Sequence, residues 1–317
     1  MSVNYLRISV TDKCNLRCIY CHPLSGCDFI ERKEILRFEE IHRIVRLFVR
    51  CGIRKVRLTG GEPLIRKNIV HLVRKLANIT GIEELALTTN GVLLEPVAAE
   101  LKDAGLQRIN ISVDSAERES YKYITGFDLL PRVIKGIYKA LAVGLTPVKI
   151  NTVILRGVNE SQIPALAQMS VYLPLAVRFI EYCPTSKYTK PASAYVPNGE
   201  VRKIIERKFG PLSPVLVSDV DGPALYLRLR NSAGTIGFIS GRSSIFCQKC
   251  NRLRLTSDGK VSPCLYSAHH YDVKKLIRGG AGDEVVLDLL KKILHEKSGY
   301  TKLNSPAPEF SMQNIGG

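Results

Sequence analysis

No run of eighteen apolar residues occurs anywhere in the 317-residue chain, which excludes an ordinary membrane-spanning helix. The opening "MSVNYLRISV" has neither the charged leader nor the long apolar stretch of a secretory signal, so a cytoplasmic protein is expected. Low-complexity tracts are missing too, and nothing repeats beyond a strand-plus-helix unit. Acidic residues are scarce: 29 Asp and Glu stand against 46 Lys and Arg, a formal charge of +17. That surplus is spread over the chain rather than gathered in one tail, so no nucleic-acid stripe is visible. A phosphate-bearing small molecule or plain solubility accounts for it equally well. Hydrophobic residues make up 45%, enough for one large core.

A disulfide framework is also absent. Nine cysteines are an odd number in a chain without an export signal, and thiolate ligands explain them better. Six fall in two triads, Cys14, Cys18 and Cys21, then Cys247, Cys250 and Cys264; Cys27, Cys51 and Cys183 stand alone. Neither triad has an obvious fourth ligand. A structural zinc takes four donors, and His22 is a candidate beside the first triad, while "CQKC" has the spacing of a zinc ribbon. On so short a loop as that of the first triad, three thiolates instead suit a 4Fe-4S cluster with one iron left open, while the second triad is closed either by a distant residue or by something that is not protein. A zinc-bearing nucleic-acid binder is the non-enzyme alternative.

Strand patterns at 6–11, 55–60, 84–89, 108–114, 148–154 and 177–182 alternate with amphipathic helical segments. In one of these Ile41, Ile44, Val45 and Phe48 recur at three- and four-residue steps before Gly52. Such βα units in series predict a parallel sheet with helices outside, open or curled into part of a barrel. "TDKC", "GGEP", "TTNG" and "SVDS" stand where the strands end, and in α/β folds those ends carry the site. Arg7, Arg57 and Lys149 each interrupt an otherwise apolar or small-residue strand, which is costly unless the charge meets a ligand or partner. In "NRLRL" the alternation puts Arg252 and Arg254 on one face and Leu253 and Leu255 on the other. Beyond residue 183 the sequence predicts a helix near 200–208, short strands at "ALYLRLR" and "GTIGFIS", a strong helix at "VVLDLLKKILHEK", and a mobile tail, "LNSPAPEFSMQNIGG". No acid–base pair of the hydrolase kind is apparent.

"CNLRCIYC" directly after the first strand, with Tyr20 between its second and third cysteines, and "TGGEP" after the second resemble the radical S-adenosylmethionine (SAM) superfamily. Adding "CQKCNRLRLTSDGKVSPC" and the terminal "IGG", the chain resembles, over nearly its whole length, the GTP 3′,8-cyclase family, which opens molybdenum cofactor biosynthesis. The resemblance implies an α/β fold with a partial (βα)6 TIM-like barrel over 1–183. A small C-terminal α+β region, 184–302, would carry the second iron–sulfur cluster and complete the barrel opening, and 303–317 would be the tail.

Two 4Fe-4S clusters are implied, one on Cys14, Cys18 and Cys21 and one on Cys247, Cys250 and Cys264. SAM would lie against Tyr20, Gly61, Ser112 and Cys183, the last standing where the family usually has methionine. GTP would meet Arg7, Arg57, Thr88, Lys149, Arg252, Leu253 and Arg254, with Arg252, Arg254, Gly316 and Gly317 serving catalysis. The implied reaction is that of a lyase: a 5′-deoxyadenosyl radical takes hydrogen from ribose C3′, and C3′ attacks guanine C8 to give (8S)-3′,8-cyclo-7,8-dihydro-GTP. Expected partners are GTP, an electron donor of unknown identity, a downstream cyclic pyranopterin monophosphate synthase and a second copy in a homodimer, with no nucleic acid or membrane. The enzyme alternative, a radical SAM peptide-modifying maturase, would be expected to carry more auxiliary cysteines and a peptide-recognition domain.

Overall fold

The computed structural model describes residues 3–21, 29–183, 192–215, 222–243, 250–265, 267 and 269–298. Alternation decides its first strand. In β1 (Tyr5–Ser9) Leu6 and Ile8 are buried in the hydrophobic core, so Tyr5, Arg7 and Ser9 take the opposite face. The first helix, α1 (Phe38–Arg50), buries the stripe Ile41, Ile44, Val45 and Phe48 completely. Arg37 closes a capping box with Glu40 at its start, and Gly52, at φ +99°, takes the left-handed turn that follows its end.

The alternation continues through β2 (Lys55–Thr59), α2 (Ile69–Ala77), β3 (Glu84–Thr89), α3 (Leu94–Asp103), β4 (Arg108–Ser112), α4 (Arg118–Thr125), α5 (Leu130–Ala142), β5 (Val148–Ile154), α6 (Ile163–Tyr172) and β6 (Leu175–Glu181). Strands β1 to β6 lie side by side in chain order, all parallel.

The second half holds α7 (Asn198–Phe209), β7 (Leu212–Pro214), β8 (Leu225–Leu229), β9 (Thr235–Ile239), β10 (Arg252–Leu255), β11 (Lys260–Ser262), β12 (Tyr271–Asp272), α8 (Val273–Arg278) and α9 (Asp283–Ser298). Its strands extend the same sheet at both edges. β10 runs parallel beside β1, with Arg252 opposite Tyr5 and Arg254 opposite Arg7. At the other edge β9 runs parallel beside β6. The apolar face is continuous across these joins: Leu253 and Leu255 join Leu6 and Ile8 in one core, and the rings of Phe179 and Phe238 stack with centroids 6.2 Å apart. Short antiparallel strands finish each edge, β11 and β12 beyond β10, β8 and β7 beyond β9. Helix α9 returns to α1, where Arg43 and Arg46 each bind Asp283 at 2.8 Å.

Candidate active site

The first triad lies on the loop that leaves β1. That loop is fastened from both sides: Arg17 and Ile19 donate backbone hydrogen bonds to Thr125 and Ile124 at the end of α4, and the Gly61 N–H donates to Thr11 O at 2.7 Å. Gly61 has to be glycine for contact reasons alone, since a Cβ there would stand 2.2 Å from Lys13 O. Sulfur-directed donors are in place, the Leu16 N–H at 3.4 Å and Asn90 Nδ2 at 3.8 Å from Cys14 Sγ. Burial raises the Cys14 thiol, and burial together with Asp114 and the two neighbouring thiols raises Cys18 well above the ordinary value. Iron would remove that penalty, because a coordinated thiol is deprotonated outright.

Two buried carboxylates brace this end. Glu62 accepts from Leu64 N–H (2.9 Å), Thr89 Oγ1 (2.8 Å) and Asn90 N–H (2.7 Å), tying "GGEP" to "TTNG", and burial pushes it up to about 7. Asp114 accepts the Tyr20 hydroxyl at 2.5 Å and the Val153 N–H at 2.8 Å, and burial lifts it to about 6. Ser112 closes β4 nearby, half-buried; Cys183 follows β6, its Sγ 3.3 Å from where a Cβ on Gly241 would be.

On the inner face of the sheet the charges collect. Arg7 stands between Arg254 and Arg57 in adjacent strands, and Lys149 neighbours Asn110, which neighbours Thr88. Arg57, Lys149, Arg178 and Arg254 are all buried. With its amide oxygen turned toward the guanidiniums, Asn110 accepts from Arg178 Nη2 at 2.9 Å and from Arg57 Nη1, and Arg178 Nε donates to Asn151 Oδ1 at 2.9 Å. Gly237 makes room for Arg178: a Cβ there would lie 2.9 Å from its Cγ. Glu84 meets the cations at one end, 3.2 Å from Arg108, 3.8 Å from Lys55 and 3.9 Å from Arg57. Burial, with the charge of Arg254, holds Arg7 well below its ordinary value, and burial lowers Arg178 as well. Packed like charges of this kind are relieved by a polyanion. Arg57 Nε and Thr88 Oγ1 are buried without a hydrogen-bond partner, which leaves donors for a polar ligand.

Cys250 and Cys264 are at the other end of the strands. Cys250 stands just before β10, whereas Cys14 comes after β1, and these strands are parallel. The antiparallel register of Arg254 with Ser262 carries Cys264 to the same end as Cys250. Burial would raise the Cys250 thiol, but the charges of Arg252 and Lys297 and hydrogen bonds from Arg252 bring it down to about 7. The five residues of β1 separate the ends by four steps of about 3.3 Å, roughly 13 Å. A nucleotide spans such a gap.

Two family models divide the chain, the Radical SAM superfamily over residues 8–169 and Molybdenum Cofactor Synthesis C over 175–303. The GTP 3′,8-cyclase of Pelotomaculum thermopropionicum is 46% identical over 99% of this chain and 98% of its own, and that of Moorella thermoacetica 45% identical over the same shares. The chain belongs to the GTP 3′,8-cyclase family. It is therefore a radical SAM enzyme, and the solved structure of Streptococcus suis SuiB shares its fold, with a TM-score of 0.63 at 16% identity over 92% of this chain and 68% of that one.

The residues present suit the cofactors that a GTP 3′,8-cyclase requires. Three thiolates on the β1 loop, with the Leu16 N–H and Asn90 Nδ2 directed at Cys14 Sγ, match the donor set of a cubane with one iron left open. The Leu253 side chain is fully buried beside Leu6 in the core, on the face turned away from the cations, as the alternation in "NRLRL" predicts. Cys247, Gly316 and Gly317 lie outside the described residues, as do His22, Cys27 and the tail 303–317. Sequence reasoning missed Arg178, Asn110, Glu62, Asp114 and Lys297. Arg178 in "VRFIEY" carried the same signal as Arg57 in "VRLTG", a charge inside an apolar strand.

Proposed function

We propose that the chain converts GTP to (8S)-3′,8-cyclo-7,8-dihydro-GTP in molybdenum cofactor biosynthesis, in the cytoplasm. The observation that carries this reading is the cationic inner face between Cys14, Cys18 and Cys21 at one end of parallel strands and Cys250 and Cys264 at the other. Among the described residues no helix is long and apolar enough to cross a membrane.

Cys14, Cys18 and Cys21 hold one 4Fe-4S cluster, and Cys247, Cys250 and Cys264 a second. SAM would be held at the first by Tyr20, Gly61, Ser112 and Cys183, with Tyr20 steadied by its bond to Asp114. When bound, the cluster and SAM supply a 5′-deoxyadenosyl radical that takes hydrogen from ribose C3′, so that C3′ can close onto guanine C8. The protein's part is positioning. Arg7, Arg57, Lys149 and Arg178 neutralise the triphosphate, Thr88 offers its buried hydroxyl, and Arg252 and Arg254 orient the purine end beside the second cluster. Gly316 and Gly317 would help position or activate the substrate, as the family resemblance implies. An external one-electron donor and a downstream cyclic pyranopterin monophosphate synthase complete the sequence.

Anaerobically reconstituted protein with SAM, reductant and GTP should yield 5′-deoxyadenosine and the cyclised nucleotide in equal amounts. SAM cleavage with GTP untouched would overturn the reading in favour of a maturase. Trimming Gly316 and Gly317 should abolish product and leave the iron content intact.

A further inference from the structure

Helix α9 packs a stripe of Val286, Leu290 and Ile293, all fully buried or nearly so, and the next position on that stripe is a lysine. Lys297 is only 4% exposed. A C-terminal helix position favours a cation, but it doesn't require the cation to be buried, and a buried ammonium needs a partner. Its partner is sulfur: Lys297 Nζ donates to Cys250 Sγ at 3.6 Å. A neutral thiol is a weak acceptor, while a thiolate bound to iron carries the negative charge that makes the contact worthwhile.

We propose that Lys297 is a positioning residue for the auxiliary cluster, setting its reduction potential through a charged hydrogen bond to the Cys250 sulfur. This rests on the reading of Cys247, Cys250 and Cys264 as cluster ligands. Hydrogen bonds to cluster sulfurs stabilise the more negative, reduced state, so they raise the potential. Arg252 also hydrogen-bonds Cys250, but it is the residue assigned to the nucleotide. Lys297 comes from α9, which contributes no residue to the cationic strand face. It stands in the last turn of α9.

The test uses full-length protein in which Cys14, Cys18 and Cys21 are replaced by alanine, so that only the auxiliary cluster is read. Reduced and oxidised fractions are followed by electron paramagnetic resonance against solution potential. K297M should lower the reduced-to-oxidised ratio roughly ten-fold at a fixed potential, equivalent to about 59 mV for one electron, and K297R should stay near the parent. An unchanged ratio in K297M with the cluster retained overturns the proposal. Should K297M lose the cluster, a K297R variant that keeps it at the parent ratio supports the charged contact, and a K297R variant that also loses it reduces Lys297 to packing and overturns the proposal. A parent without iron in this background refutes the cluster assignment itself, and the proposal with it.

Discussion

Replacing Gly61 by alanine should detach the first cysteine loop from the sheet without unfolding the chain. A Cβ at this position would stand 2.2 Å from Lys13 O, 2.5 Å from Lys13 C and 2.7 Å from Asp12 O, all backbone. No rotamer relieves such a contact, so the two loops must part by roughly 1 Å to reach ordinary separation. That movement stretches the Gly61 N–H bond to Thr11 O (2.7 Å) and the Glu62 N–H bond to Lys13 O (2.8 Å) out of range. Each lost bond costs about 1 kcal/mol and the overpacking about 1–3 kcal/mol more, so the total is about 3–5 kcal/mol. Typical domains have about 5–15 kcal/mol in hand, so the sheet survives and the loop yields. Thermal unfolding under nitrogen should show a lowered midpoint, and iron bound at Cys14, Cys18 and Cys21 should fall sharply. Gly199, in the first turn of α7 with nothing within 4 Å of its would-be Cβ, is the control. Its alanine variant should match the parent or gain about 0.5–1 kcal/mol. A G61A protein with parental midpoint and iron content would refute the account of how "GGEP" holds the cysteine loop.

Other expectations follow from buried charge. Burial opposes ionisation of Glu40, but hydrogen bonds from Arg278 (2.8 Å) and from Arg37 hold it down to about 2, below its ordinary 4.5. Its contribution is therefore complete above pH 4.5 and lost as pH falls through 2. E40Q should cost about 1–3 kcal/mol at pH 7, with the deficit shrinking in acid, as urea unfolding at several pH values would show. R178M removes a cation held by Asn110 and Asn151. It should weaken GTP binding roughly 10- to 100-fold and leave SAM binding alone in equilibrium dialysis, and equal loss of both ligands would contradict its assignment.

Much of this architecture was legible because period and placement agree. The segment Val148–Ile154 reads as a strand and forms one as β5, and the α1 stripe from Ile41 to Phe48 is buried as its spacing predicts. What sequence could not convey was pairing across long separations. Nothing local to "NRLRL" says that it lies beside "YLRIS", about 250 residues away in the chain and opposite it in register. The same distance hid that Cys250 and Cys264 lie at the opposite end of adjacent parallel strands from Cys14, Cys18 and Cys21. Lys297 escaped for a related reason: on a helix it looks like an ordinary terminal lysine, and only packing shows its sulfur partner.

The proposal that two clusters flank one cationic substrate face is tested most directly by the spectra of the reduced, fully loaded protein, with iron and sulfide counted per chain. The account predicts iron and sulfide for two cubanes, with GTP altering only the auxiliary cluster's resonance and SAM only the signal lost when Cys14, Cys18 and Cys21 are replaced. Iron for a single cluster, or an auxiliary resonance indifferent to saturating GTP, would contradict it.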